Sequence, residues 1–196
     1  MRMSNRIIGS SLSLMFGAAL SGVSGSASAA GDDASWKIRI PAHTRIGTKT
    51  IDKTMFEFAC STGPGGMLSL TVILPPPEAV TGFPLEEFEG PDGIGETHDL
   101  AEWSVTGGKK PARARTTISG WRGVDGDGYL LSRARESDKS SDIARLAKRL
   151  LSSDQARLRL VVKPIKHGEA LKSEAPVEGH REAIEKILAP CLAPVK

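Results

Sequence analysis

Cysteine is scarce in this 196-residue chain: there are two, Cys60 in MFEFAC and Cys191 in the closing EKILAPCLAPVK. Aromatic residues are also few, with three tryptophans, one tyrosine and five phenylalanines, too few for a sugar cleft paved with exposed rings. Charge of one sign is missing as well. The whole chain is +3, and without Arg2 and Arg6 of the N-terminal segment the 26 basic residues become 24 against 23 acidic ones. A net of +1 gives no nucleic-acid footprint, which calls for a larger excess or a concentrated basic stripe. Beyond the first 29 residues no run is long and apolar enough to cross a bilayer as a helix.

Catalytic and metal spacings are absent too. There is no HExxH, and His43, His98, His167 and His180 lie too far apart in sequence to form a local ligand pair. Neither GxSxG nor an SxxK with plausible partners occurs after the N-terminal segment. STGPGG is glycine-rich but lacks the Lys-Ser/Thr of a phosphate loop. VDGDGYL places Asp125 and Asp127 like the first two ligands of a calcium loop. Tyr129 and Leu130 then stand where an oxygen ligand and a turn glycine are required, so the segment reads as a hairpin turn. No cofactor motif and no metal site follow from the residues.

What is present begins with an export signal. Arg2 and Arg6 precede the apolar IIGSSLSLMFGAAL, and SGVSGSASAA follows with small residues around Ala27-Ser28-Ala29. This reads as a signal peptide over residues 1–29, leaving a single β-rich domain over 30–196 destined for the periplasm or for secretion. An oxidising compartment favours pairing of the two cysteines. In MFEFAC, alternation puts Phe56, Phe58 and Cys60 on one strand face; Ile184, Ile187, Leu188 and Cys191 share one helix face. A Cys60–Cys191 staple from strand to terminal helix is expected, with Pro190 ending or distorting that helix just before the cysteine. A free catalytic thiol would need a neighbouring base or cation, and no local motif supplies one.

The periodicities predict an α+β fold: a largely antiparallel sheet or sandwich with two helices in the C-terminal third. WKIRI, MFEFAC, MLSLTVIL, PARARTTISGW, GYLLS and RLRLVVK read as strands. SSDIARLAKRLLSS and GHREAIEKILA read as helices, the first capped by Ser140 or Ser141 and the second turning Ala183, Ile184, Ile187 and Leu188 inward. The stretch from Pro75 to Gly108 is poorly patterned and reads as loops or short edge structure.

Two charge blocks adjoin. Glu86, Glu87, Glu89, Asp92, Glu96, Asp99 and Glu102 are followed by Lys109, Lys110, Arg113, Arg115 and Arg122. Arg113, Arg115, Arg157 and Arg159 all take the outward phase of predicted strands. If those strands are close, the four form one patch for an acidic envelope or host protein or an anionic polymer, or one covered by the chain's own acidic segment.

The export signal, the early strand with its cysteine, the late RLRLVV strand and the terminal EGHREAIEKILAPC together resemble the invasion-associated locus B family of small exported alphaproteobacterial proteins. In such proteins a final Gly-x-x-x-Ala helix ends at a cysteine that pairs back into the sheet; Gly179, Ala183 and Cys191 are the matching positions. The resemblance implies an envelope protein linked loosely to host association, and it brings no catalytic residue; with no catalytic spacing in the chain, the expectation is a protein that acts by binding. The competing expectation is a periplasmic enzyme, hydrolase-like, whose carboxylates or histidines are gathered only by the fold.

Overall fold

A computed structural model describes residues 36–62, 66–90, 92–108, 111–123, 128–136 and 141–193. The signal-like segment, Lys109, Lys110, Asp125 and Asp127 lie outside the described residues.

The described strands are β1 (Lys37–Ile46), β2 (Lys49–Cys60), β3 (Met67–Leu74), β4 (Ala101–Thr106), β5 (Ala112–Thr116), β6 (Ser119–Arg122), β7 (Tyr129–Glu136), β8 (Arg157–Val162) and β9 (Leu171–Pro176). They form one curled antiparallel sheet in the order β5-β4-β8-β9-β1-β2-β3-β7-β6. The helices are α1 (Ile94–Thr97), α2 (Asp142–Leu150) and α3 (Arg181–Leu192), so the α+β expectation holds, with two helices in the C-terminal third.

Most strands turn their apolar phase inward; β6 instead leaves Trp121 exposed and turns Gly120 in. Ile40, Phe56, Phe58, Leu68, Leu70, Val72, Trp103, Leu131, Leu158 and Leu160 are fully or almost fully buried. β2 carries one extra residue where its register with β1 shifts between Ala42 and Thr44, and Lys53 there has φ of 56°. That bulge lets Ile51 and Thr54, of opposite phase in a regular strand, both be buried. Inward polar groups find partners. The Thr44 and Ser173 hydroxyls lie 2.8 Å apart, and Trp103 Nε1 donates to Thr116 Oγ1 at 3.2 Å.

The first and last strands of the sheet, β5 and β6, are consecutive in the chain and separated only by Thr117 and Ile118. From Thr116 to Ser119 are three Cα–Cα steps, which span at most about 11 Å, so the sheet must curl until its ends meet. PARARTTISGW is therefore not one strand, as its alternation predicts, but two strands on opposite edges. Helix α2 packs against β4 and β5 on one side and β3 and β7 on the other, bridging the two halves of the curl. Its Ser141 Oγ accepts from the Ala144 N–H at 3.1 Å, and Ile143, Ala144, Leu146, Ala147 and Leu150 are buried.

Both sheet edges are covered. Lys163 N–H donates to Leu100 O, which puts Glu102 and Ser104 in the phase that bonds to β8 and turns the backbone groups of Arg113 and Arg115 away from β4. On that side Arg145 of α2 donates to Arg113 O at 3.4 Å. At the other edge Gly90 N–H donates to Gly120 O at 2.8 Å. Gly120 has no room for a side chain: a Cβ there would lie 2.3 Å from the Tyr129 hydroxyl.

Cys60 and Cys191 form the expected disulfide, with Cα atoms 5.9 Å apart. Helix α3 differs from expectation in two respects. It runs through Pro190 to Leu192, because a proline near the last turn removes only one donor while burial of Leu188 and Cys191 holds the turn in place. Ala183 is exposed, and only Ile184, Leu188 and Cys191 are buried.

Candidate binding face

The four arginines do share a face. On the outer side of β5, β4, β8, β9 and β1, pairing sets two rows two residues apart along the strands. One is Arg113, Ser104, Arg159, Glu174 and His43; the other is Arg115, Glu102, Val161, Lys172 and Arg45. Arg157 stands one step beyond the first row, beside Thr106 and Pro176. Arg113 and Arg159 thus flank Ser104 from either side, while the side chain of Ser104 lies low between them and is 9% exposed.

The arginines separate into two kinds. Arg157 Nε sits 2.6 Å from Glu174 Oε1, and Arg115 Nε 3.8 Å from Glu102 Oε2. Arg113 and Arg159 have no carboxylate within ion-pair distance among the described residues. The same holds for two cations that the sequence patterns did not reveal, Arg45 on β1 and Lys172 on β9. All four are exposed. The two rows with Arg157 therefore carry six cations and two carboxylates, a surplus of four.

The acidic segment is not spread over this face. Residues Leu85–Phe88 and α1 pack against β6. Tyr129 Oη donates to Leu85 O at 2.8 Å, and Glu87 Oε2 accepts from the Ile165 N–H. Of the seven acids between 86 and 102, only Glu102 reaches one of the four predicted arginines among the described residues. Burial, then Glu89 and Glu86, hold the Tyr129 phenol well above its ordinary value of 10.0.

Other features bear on chemistry. The buried carboxylate Glu57, 7% exposed, is held on the outer face by Arg39 at 2.7 Å and Lys37 at 3.7 Å. No group of three or more His, Cys, Asp or Glu side chains with metal-binding proximity occurs among the described residues. His98 Nδ1 lies 2.9 Å from Thr97 Oγ1 on the surface. An open recess of about 290 Å³ is lined by Glu102, Arg113, Ala114 and Arg115, so it belongs to the cationic face. No helix of the described residues is long and apolar enough to cross a membrane.

Comparison with protein-family models, with curated proteins and with solved structures finds no match to this chain.

Proposed function

We propose that this chain is an exported, non-catalytic binding protein of the periplasm or extracellular space, and that its cationic sheet face receives an anionic partner of the envelope or of a host. The observation that carries the reading is the set of four exposed cations, Arg113, Arg159, Lys172 and Arg45, on one face without acidic partners among the described residues. Evenly matched surface charges satisfy one another; a surplus on one face leaves a field that steers an oppositely charged partner. The signal-like N-terminus and the resemblance to the invasion-associated locus B family support the compartment. The test is capture from envelope extract by the oxidised protein at low and high salt. Arg113→Glu with Arg159→Glu is expected to abolish capture while leaving the thermal melt near that of the unaltered protein. Capture that survives both the substitutions and high salt would refute the reading.

A further inference from the structure

We infer that the partner of this face is a linear polyanion laid across the strands, a chain of oxyanion groups such as sulfates or phosphates, and not a folded protein. The inference rests on the binding reading above and adds the class of ligand. Arg113 stands on β5, Arg159 on β8, Lys172 on β9 and Arg45 on β1, in a sheet ordered β5-β4-β8-β9-β1. With strands ~4.8 Å apart, these cations fall at about 0, 10, 14 and 19 Å across the strands, Arg113 and Arg159 in one row and Lys172 and Arg45 in the next, two residues further along. A folded protein partner would need apolar or aromatic anchors to bury at the centre of its interface. Here Val161 and Pro176, both half-buried, and Pro41 are the apolar side chains that the pairing places on the face, and its one ring is the small imidazole of His43. With no Trp, Tyr or Phe ring there to form a stacking platform for bases or sugar faces, recognition rests on the charged groups. A flexible charged chain needs no anchor. It gains by releasing its counterions as each cation engages an oxyanion. Lys172 and Arg45, direct cross-strand partners on β9 and β1, supply the tightest point of the line, where one oxyanion can meet both cations.

The experiment measures affinity of the full oxidised protein for heparin oligosaccharides of graded length, for polyphosphate and for a single-stranded oligonucleotide, each at several salt concentrations. Affinity is expected to rise with length until the ligand spans roughly 19 Å and then to level off. Each of Arg113→Gln, Arg159→Gln, Lys172→Gln and Arg45→Gln is expected to weaken binding about fivefold, the scale of one cation at an anionic surface, and to make the salt slope shallower. Arg122→Gln, on β6 and beside Glu78, serves as the control and is expected to change nothing. Heparin against polyphosphate tells a sulfated glycan from a bare phosphate chain, and the oligonucleotide is expected to bind more weakly than either. Equal effects from Arg122→Gln, or no effect from the four substitutions, would overturn the inference. So would tighter binding of the oligonucleotide. If no polyanion binds but capture of an envelope protein is lost in Arg113→Glu/Arg159→Glu, the polyanion falls and the binding face stands. If neither occurs, both fall.

Discussion

Breaking the Cys60–Cys191 bond should cost this protein much of its stability, and the size of the loss can be worked out from the loop that the bond closes. The two cysteines are 131 residues apart. On the chain-entropy account, opening such a loop returns about 17 cal/mol/K to the denatured chain, about 5 kcal/mol at 25 °C. Native disulfides of small domains give about 2 to 5 kcal/mol on removal, so the expected loss lies in the upper part of that range. Packing adds little at one of the two sites. The Cys191 sulfur lies 3.5 Å from Ser61 O and 3.7 Å from Met67 O, so a serine hydroxyl there has acceptors. The assay is urea unfolding of the oxidised protein, the reduced protein, Cys60→Ser, Cys191→Ser and the double variant. The last four should share one midpoint well below that of the oxidised protein, because all four lack one shared bond. Their m-values should also rise together, since an open denatured chain exposes more surface. The reasoning fails if reduction leaves both midpoint and m unchanged, or if the two single losses add in the double variant.

Other perturbations test separate parts of the fold. Gly120→Ala pushes a methyl into the Tyr129 ring and should cost about 1 to 3 kcal/mol by overpacking, read from a thermal melt. Ser141→Ala removes the acceptor at the start of α2 and should cost about 1 kcal/mol in urea. Tyr129 is the chain's one tyrosine, so phenolate absorbance reports it alone. Its folded pKa is raised, so native protein keeps a proton that the unfolded chain gives up above pH 10.0; stability should be constant below that pH and fall as pH climbs past it, an effect absent in Tyr129→Phe. Tyrosine ionising at the ordinary pH in the folded protein would contradict this.

Much of the sheet and both long helices were legible because their contrast between faces is strong. MLSLTVIL and RLRLVV alternate large aliphatic side chains with polar ones, and the core uses them as the pattern says. The cysteine pair was legible for the same reason, each lying in phase with buried neighbours on its own element. Two strands went unseen. β4 turns Ala101, Trp103 and Val105 inward, but it follows an acidic stretch with no periodicity. β9 turns Leu171, Ser173 and Ala175 inward, and Ser173 qualifies for the core only because Thr44 faces it across the pair. Missing β9 also hid Lys172, and reading β1 as ending at Ile40 hid Arg45. The break at Thr117 and Ile118 was invisible for another reason. Two residues preserve the phase of the alternation, so period alone cannot tell a continuing strand from one that leaves for the opposite edge. The candidate face was thus half legible: its four arginines carried the right phase, but which of them were neutralised depended on cross-strand neighbours.

The disulfide also sets how the domain would answer to mechanical load. Trp36 O accepts the Cys60 N–H at 2.9 Å, and Cys60 is bonded to Cys191, so both ends of the described domain meet at one point. Tension entering at Trp36 and leaving at Cys191 would run along the β1–β2 hairpin and straight through the sulfur bridge. The 131-residue loop between the cysteines would bear none of it. Oxidised, a pull on its ends could extend only β1 and β2, at the cost of their pairing with each other and with the neighbouring β9 and β3. Reduced, the same pull would pass through every strand, including those that carry Arg113 and Arg159.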